Sequence, residues 1–460
     1  MLNWQPIQLP LESYAARSPA SSSQRLLNLY AEQNPEGSPS PVSLYPTPGL
    51  APWATVGDGP IRGLRVMGDY LWVVSGEELY RVDWQGTATL VGVIAGAAPC
   101  FMDDDGTHVL IAADQVLYAV NASGITVLSI EGVNGVAVKD GYGIVTQRGS
   151  QFFYLTALDD LTTIDPLDFS SADALPDNLI GCIFDHNELW LFKERSTEIW
   201  YNAGAASFPF VRAAGGFIER GCAASGSIAK ANHRVFWLGE DLRVYASAGY
   251  QPQPISTHAI DALIREQSDP SSAEAIAYTQ DGHTFYVLSF PTSTLVYNAT
   301  VGRWHERVTV DEDRWRARSY ALFNAEHLVG DFETGSLYEL DLDTYTDDGD
   351  PIDRVVTFPA VYAGGKRIAC AGFRLDAEAG VGLSGTDWTS DPQAFLDWSD
   401  DGGNTWSTPR AADMGLLGEY GARIEWTRLG TFTKRIFRVR INTPCRVVIN
   451  GASASYEVLQ

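Results

Sequence analysis

The chain has 460 residues, of which 45% are apolar and 19% are charged, and this composition excludes an intrinsically disordered protein. The length predicts two or three domains, and the 43 glycines and 11% aromatic residues favour short strands joined by turns. The formal net charge of -25 excludes tight, sequence-specific DNA binding, because DNA phosphates repel an acidic surface, although DNA could still slide past it.

The five cysteines lie far apart and form no CxxC pair: Cys100, Cys182, Cys222, Cys370 and Cys445. This spacing favours neither a zinc site nor a disulfide framework, and it fits reduced, buried cysteines in a protein made in a cytosol. The opening sequence MLNWQP has no basic or apolar targeting segment, and no run of 18 apolar residues occurs. We therefore expect neither a signal peptide nor a membrane span.

Residues 1–58 are predicted to form an extended N-terminal arm. Two stretches rich in serine and proline, SPASSS at 18–23 and NPEGSPSP at 34–41, interrupt regular structure. Between them, QRLLNLY at 24–30 is a candidate strand. Because the arm also carries Leu44 and Trp53, we expect it to dock on another part of the molecule, such as the C-terminal domain.

The segment from residue 59 to 344 repeats a unit of strand, turn, strand, turn and strand. The third strand of each unit carries a tyrosine, and these tyrosines are Tyr80, Tyr118, Tyr154, Tyr201, Tyr245, Tyr297 and Tyr338. Their spacing of roughly 36 to 52 residues matches one four-stranded blade of a β-propeller, so we expect a propeller of six or seven blades. A stacked β-sandwich, which also uses short strands and frequent turns, is the alternative.

Tight turns and apolar middle strands support the propeller prediction. Asp-Gly turns, such as those at 140–141 and 281–282, supply the positive φ that short hairpins need. Middle strands such as LWLF at 189–192 are continuously apolar, as expected for sheets buried between neighbouring blades. One helix interrupts the pattern, because Ser256-Thr257 can cap a segment at 258–266 whose apolar residues share one face.

Residues 345–460 are predicted to form a second β-rich, sandwich-like platform domain. Its strand candidates are VVTF at 355–358, AGFRL at 371–375, AFLDW at 394–398, RIEW at 423–426 and IFRVRI at 436–441. In the last of these, apolar residues alternate with arginines. This alternation predicts a half-buried strand with a basic outer face.

Basic residues are concentrated in this C-terminal region, where 423–446 holds seven of them and a single acid, Glu425. The basic residues are Arg423, Arg428, Lys434, Arg435, Arg438, Arg440 and Arg446. In so acidic a chain they are candidates for a subunit interface or for a channel surface that touches DNA. The alternative is a strand face that is solvated or paired with its own neighbours.

The sequence SDDGGNTW at 399–406 fits the Asp-box pattern S-x-D-x-G-x-T-W, whose defining positions are Ser399, Asp401, Gly403, Thr405 and Trp406. Asp401 is expected to accept backbone N–H bonds across a turn, while the glycines allow the bend and Trp406 packs beneath it. In sialidases such boxes lie away from the catalytic centre. The motif therefore predicts a structural hairpin.

No motif in the sequence indicates catalysis, a cofactor or a metal, and we expect that the protein is not an enzyme. HExxH, GxSxG, GxGxxG and GxxxxGK[ST] do not occur, and several of the seven histidines fall in or beside hairpin turns. The acidic runs at 103–105 and 347–350 could ligate calcium, but neither completes an EF-hand, and exposed turn carboxylates are favoured. A glycosidase pair of carboxylates distant in sequence stays an open alternative.

Short motifs, taken in order along the chain, resemble the packaged-DNA-stabilisation proteins of short-tailed bacteriophages. They are RLLNLY at 25–30, LYPTPGL at 44–50, IRGL at 61–64, STEIWY at 196–201, ERGC at 219–222, PIST at 254–257, WSDDG at 398–402 and RIFR at 435–438. The resemblance covers nearly the whole chain. It implies a propeller combined with a platform built from both chain ends, and it supplies no catalytic residues.

The resemblance further implies a virion component, made in the host cytoplasm, that forms the tail hub or nozzle. We expect a homohexameric ring below the portal and its adaptor, with a channel that closes over packaged DNA and conducts it on ejection. The expected partners are the portal-adaptor protein, tail fibre, spike or plug proteins, and double-stranded DNA bound without sequence specificity. No cofactor is expected.

A carbohydrate-binding or carbohydrate-degrading β-propeller, acting as a receptor-binding module, is the alternative function. The Asp box and the 13 tryptophans favour it, because aromatic rings stack on sugars. The single Asp box lies outside the propeller, however, whereas sialidases carry several within it. A propeller scaffold in a cellular complex is a third, weaker alternative.

Overall fold

A computed structural model describes residues 4–16, 22–205, 208–382 and 390–459, so part of the serine-rich stretch, at 18–21, lies outside the described residues. The N-terminal segment contains the strands β1 (Trp4–Ile7), β2 (Tyr14–Ala15), β3 (Ser23–Leu27), β4 (Leu29–Gln33), β5 (Val42–Pro46) and β6 (Gly49–Thr55). These short strands alternate with irregular segments, as the serine and proline content predicts.

The first two propeller sheets contain β7 (Ile61–Met67), β8 (Tyr70–Ser75), β9 (Glu78–Val82), β10 (Ala88–Val93), β11 (Phe101–Asp104), β12 (Val109–Ala113), β13 (Gln115–Asn121), β14 (Gly124–Lys139), β15 (Tyr142–Gln147), β16 (Phe152–Ala157) and β17 (Asp160–Ser171). β7 to β10 form a four-stranded sheet, and β11 to β17 form a seven-stranded sheet. The long strand β14 joins two antiparallel meanders, because its first half pairs with β13 and its second half pairs with β15.

The propeller continues with β18 (Leu179–Asp185), β19 (Glu188–Lys193), β20 (Thr197–Asn202), β21 (Phe210–Ile218), β22 (Ala229–Ala231), β23 (Arg234–Leu238), β24 (Val244–Ala248), β25 (Gln251–Pro254), β26 (Glu274–Gln280), β27 (His283–Phe290), β28 (Ser293–Asn298), β29 (Arg303–Arg307), β30 (Ala317–Phe323), β31 (Glu326–Asp331) and β32 (Ser336–Asp341). β18 to β21 and β22 to β25 are separate four-stranded sheets. Single 3-10 turns lie at Ser225–Ser227 and Pro270–Ser272.

The propeller arrangement predicted from the repeat is confirmed. Each repeat tyrosine lies on the third strand of its meander, and the turns at Asp140 and Asp281 adopt positive φ values of 54° and 48°. The middle strand β27 is buried at all eight positions. Burial on both faces explains the continuous apolar runs, since each large apolar side chain that is fully buried stabilises the fold by about 1.5–3 kcal/mol.

The predicted helix at 258–266 is confirmed as α1 (His258–Arg265). The Thr257 side chain caps it by accepting a hydrogen bond from the backbone N–H of Ile260 at 3.4 Å. Ile260 and Ile264 face the propeller core and are fully buried. No helix in the described part of the chain is long and apolar enough to cross a membrane.

The boundary predicted at residue 58 needs correction, because β6 is a propeller strand. β6 pairs antiparallel with β32 along its whole length, from Gly49 opposite Asp341 to Thr55 opposite Ser336. The last propeller sheet therefore takes its fourth strand from the N-terminal segment. This closure of the ring pairs two strands that are far apart in the sequence, and no local sequence pattern predicts that pairing.

The platform contains β33 (Thr346–Asp347), β34 (Asp350–Pro351), β35 (Arg354–Thr357), β36 (Val361–Tyr362), β37 (Ile368–Ala377), β38 (Gln393–Ser399), β39 (Arg410–Asp413), β40 (Ile424–Thr427), β41 (Thr431–Phe432), β42 (Lys434–Ile441) and β43 (Ile449–Val458), of which β33 and β34 extend the last propeller sheet. One platform sheet has the order β4-β5-β43-β37-β40, with β1 also paired to β43. The facing sheet contains β3-β35-β42-β38-β39. Their inner faces enclose a single apolar core that includes Phe373, Trp426 and Phe437.

The N-terminal strands bind both domains. β1, β4 and β5 belong to the platform, whereas β3 lies between the propeller strand β29 and the platform strand β35. The propeller sheet of β26 to β29 and one platform sheet thus form a single eleven-stranded sheet. A hydrogen-bonded sheet that crosses the domain boundary leaves little freedom for a hinge there.

Candidate functional site

Two arginines of the basic strand β42 pair with acids of their own domain. The Arg435 side chain is 3% exposed, and its Nε and Nη2 atoms donate to the two carboxylate oxygens of Asp400 at 2.6 and 2.7 Å. Arg438 pairs with Asp397 on the adjacent strand β38, and its guanidinium lies 3.8 Å from the centroid of the Trp406 ring. These arginines brace neighbouring segments of their own domain.

The other residues of the predicted basic patch lie on separate surfaces. Arg423 and Arg428 are exposed at the two ends of β40, and Arg440 is exposed on the opposite sheet beside Phe395. Lys434 is half-buried, and Arg446 pairs with Glu378 at 3.1 Å. The structure therefore divides the patch between two sheets and does not gather it into one continuous surface.

The Asp-box residues form a self-contained hairpin after β38. Asp401 accepts hydrogen bonds from the Ser399 hydroxyl at 2.7 Å and from the backbone N–H and hydroxyl of Thr405 at 2.9 and 2.6 Å. The Ser399 hydroxyl in turn accepts the backbone N–H of Gly403 at 2.8 Å. The side-chain hydrogen bond from Thr405 is the main reason that the pKa of Asp401 lies far below its usual range. The Arg438 guanidinium packs on the Trp406 ring, and this contact holds the Asp-box hairpin against β42.

A buried asparagine, which the sequence analysis did not single out, connects the propeller to the platform. Asn28 is 2% exposed and adopts a φ of 54° between β3 and β4. Its side-chain amide donates to the carbonyl of Val308 at 2.9 Å and to that of Asp353 at 2.8 Å, while its carbonyl accepts the N–H of Val308 at 3.1 Å. Val308 follows the propeller strand β29, and Asp353 precedes the platform strand β35.

Charged groups surround this junction. On the surface, Arg25 donates two hydrogen bonds to Glu306 at 2.9 and 2.7 Å. In the interior, the guanidinium of Arg307 lies 3.6 Å from the centroid of the Trp315 ring, and burial lowers its pKa. Asp347 accepts the hydroxyl of Thr309 at 3.1 Å, and burial raises its pKa. Such buried groups hold one geometry well and tolerate substitution poorly.

The first strands of the propeller sheets line a central cavity of about 570 Å³. Its charged residues are largely paired, since Arg65 contacts both Asp103 and Asp104 at 2.5 Å and Arg318 holds Glu274 at 2.7 and 2.9 Å. Two carboxylates of the acidic run at 103–105, which was considered as a calcium site, are therefore already paired with an arginine. No cluster of three or more metal-binding side chains occurs among the residues that the structure describes.

Two family models match the chain. One is described as the β-propeller of bacteriophage P22 Gp10 and matches residues 8–345, and the other is described as the β-sandwich of bacteriophage P22 Gp10 and matches residues 353–457. The gap between them falls where the chain passes from the last propeller sheet into β35. The two models together account for both domains in this order.

Several solved structures resemble the chain only distantly. A streptogramin B lyase has 10% identity and a TM-score of 0.42, over 68% of this chain and 97% of the lyase. The Pan2 WD40 domain of Neurospora crassa has 8% identity and a TM-score of 0.42, over 64% of this chain and 95% of that domain. PorZ of Porphyromonas gingivalis has 12% identity and a TM-score of 0.38, over 78% of this chain and 46% of PorZ. No curated protein matches the sequence significantly.

Proposed function

The chain belongs to the bacteriophage P22 Gp10 phage-stabilisation family, and from that premise we propose that it is the tail-hub, or nozzle, subunit of a phage virion. In this role a homohexameric ring lies below the portal and its adaptor, closes the DNA exit channel, stabilises packaged DNA and conducts it on ejection. The subunit acts without a cofactor and without catalysis. It is made in the host cytoplasm and assembles into the virion tail.

The observation that carries this proposal is the family match over both domains, from residue 8 to residue 457. The junction around Asn28 supports a mechanical role, because β3 and the Asn28 side chain tie propeller and platform into one body. A subunit that resists the pressure of packaged DNA needs such a rigid connection. The net charge of -25 suits a conduit, since DNA passes an acidic surface without adhering.

We propose seven blades for the propeller. Segments of seven strands line the central cavity, namely β7, β11, the second half of β14, β18, β22, β26 and β30. Each begins an antiparallel meander, and the meander that starts at β30 is completed by β6. An experimental density map would test the count, and a cross-section with six blades would contradict it.

The decisive experiment is native mass spectrometry of the purified chain, alone and mixed with the portal-adaptor complex of its phage. A complex with six copies of the chain, formed on the adaptor, is the expected result. A chain that remains monomeric and ignores the adaptor would contradict the tail-hub role. A glycan array run in parallel tests the carbohydrate-binding alternative, which predicts binding to sugars by the monomer.

A further inference from the structure

The wall of the central propeller cavity carries more basic than acidic side chains. Five of the residues that line it are basic and two are acidic, whereas the whole chain has 32 basic and 57 acidic residues. The charge balance of this wall is therefore opposite to that of the chain, which favours an anionic ligand. The basic residues are Arg62, Arg65, Lys139, Lys230 and Arg318, and the acids are Asp103 and Glu274.

The arginines of the wall do not supply the excess positive charge. Arg65 and Arg318 hold the two acids of the wall through the ion pairs described above. Arg62 lies 3.4 Å from Asp114, and its other N–H groups donate to backbone carbonyls. When the ion-pair partners outside the lining are counted as well, four arginines balance four carboxylates, and these partners are Asp104, Asp114 and Arg314.

The two lysines of the wall have no carboxylate partner in the described part of the chain. Lys139 is half-buried, and its ammonium group makes no hydrogen bond or ion pair with any residue that the structure describes. Lys230 is exposed and donates one hydrogen bond, to the backbone carbonyl of Phe184 at 2.6 Å. Because each ammonium group has three N–H donors, five donors and two positive charges remain for a ligand.

Both lysines lie at the same end of the cavity, with strand β18 between them. β18 starts beside the second half of β14, since the Asn134 side chain donates to the Leu179 carbonyl at 2.8 Å. Each of these segments is the first strand of its meander, so they run in the same direction and end together. Lys139 is the last residue of β14, and Lys230 is bonded to the last residue but one of β18.

The carboxylates near this end do not line the cavity. Asp185 lies 3.1 Å from Nδ1 of His186, which does line it, and Asp140 accepts a hydrogen bond from the Asn202 amide at 3.3 Å. The acids in the corresponding turns of other sheets are also outside the lining, namely Asp69, Asp105 and Asp281. This end of the wall therefore presents two ammonium groups and one imidazole.

We propose that the central cavity binds a phosphate group between Lys139 and Lys230, either as free phosphate or on a mononucleotide. A phosphate monoester carries about 1.5 to 2 negative charges near pH 7 and has several acceptor oxygens, so it matches two ammonium groups. The cavity volume of about 570 Å³ exceeds that of a phosphate ion and is typical of pockets for small organic ligands. Phe184 and Tyr320 also line it and offer apolar surface to a base. This site does not depend on the tail-hub role.

Isothermal titration calorimetry of the full-length chain, in a buffer free of phosphate, tests this site. Inorganic phosphate, deoxyadenosine monophosphate and the uncharged deoxyadenosine are titrated separately. Lys139→Met and Lys230→Met each remove one charged donor, so each should weaken binding of the nucleotide about tenfold or more. Lys366→Met is the matched control, because Lys366 is exposed in the platform and lies outside the cavity.

Binding that needs the phosphate and both lysines, with the control like wild type, supports the proposal. Tighter binding of the nucleotide than of inorganic phosphate then identifies a nucleotide as the ligand, and equal affinities identify free phosphate. A wild-type chain that binds neither compound overturns the proposal, as does binding that both lysine variants retain or that deoxyadenosine matches. Wild-type circular dichroism spectra of the variants exclude misfolding as the cause of lost binding. These outcomes leave the tail-hub role untouched, since assembly on the adaptor is measured separately.

Discussion

Replacing Asn28 by alanine should make the propeller and the platform unfold independently of each other. The substitution removes one hydrogen bond to the Val308 carbonyl, one to the Asp353 carbonyl and one from the Val308 N–H. Asn28 is buried, so these three backbone groups lose their partner where water does not readily replace it. At about 1 kcal/mol for each group, the loss is about 3 kcal/mol.

The backbone at this position adds a smaller, separable cost. A φ of 54° is tolerated by asparagine and strains alanine by about 1 kcal/mol, whereas glycine adopts it freely. Asn28→Ala should therefore lower the free energy of unfolding by about 4 kcal/mol, and Asn28→Gly by about 3 kcal/mol. If both variants are equally unstable, backbone strain contributes nothing.

Differential scanning calorimetry and hydrogen exchange provide the measurement. Wild type is expected to unfold in one transition, because β3 connects the two domains in a continuous sheet, and Asn28→Ala should split it into two. Exchange should accelerate at 306–308 and 353–356 and remain unchanged at β19, far from the junction. A single transition at the wild-type temperature in the alanine variant would refute the assignment of Asn28 as the connection between domains.

Three further predictions concern individual charged groups. Arg435→Met should destabilise the platform by about 2 kcal/mol in chemical denaturation. This loss is smaller than the loss expected for a fully buried ion pair, because Asp400 is 46% exposed. Arg440→Met is the control and should leave the denaturation curve unchanged, because Arg440 is exposed. Asp401 has a lowered pKa, so the stability it contributes is present above the ordinary carboxyl pKa and is lost as pH falls through the depressed pKa. Asp401→Asn should therefore remove this part of the dependence of stability on pH. An NMR titration that finds an ordinary pKa for Asp401 would contradict the hydrogen-bonding pattern. Burial lowers the pKa of His305 from about 6.5 to about 3, so the unfolded chain binds a proton that the folded chain does not, and stability should fall as pH drops from about 6.5 towards 3. His305→Gln should flatten this part of a plot of melting temperature against pH. An unchanged plot would show that other groups cause the loss of stability.

The propeller could be predicted from sequence because its signals are local. Turn residues at Asp140 and Asp281 precede apolar middle strands, and both features repeat with the period of a blade. The outer strands gave no comparable signal, since sequences such as QPQP in β25 are mostly exposed and carry no apolar alternation. The pairing of β6 with β32 joins residues almost three hundred positions apart, and no local pattern specifies such a partner.

The basic strand shows what sequence alone could not resolve. Alternation in β42 correctly predicted buried Val439 and Ile441 beside exposed Arg440. Arg435 and Arg438 form ion pairs with Asp400 and Asp397. These acids lie close to the arginines because β38 pairs with β42, and the local sequence does not predict that pairing. Pairing within the domain therefore accounts for Arg435 and Arg438, and the interface interpretation stays a prediction for the exposed residues. Arg435 and Arg438 are paired within the domain, whereas the exposed members, Arg423 above all, remain candidates for an interface.

The surface is as acidic as the net charge implies, because burial withdraws six basic and six acidic residues alike. The chain has 32 basic and 57 acidic residues, yet Arg62, Arg307, Arg354 and Arg435 are buried, where they hydrogen-bond to backbone carbonyls or to partly buried acids. The exposed basic residues therefore lie among an excess of carboxylates, which repel a DNA phosphate. Arg423 is one of the basic residues that stay exposed, and it remains a candidate for an interface with a protein carboxylate.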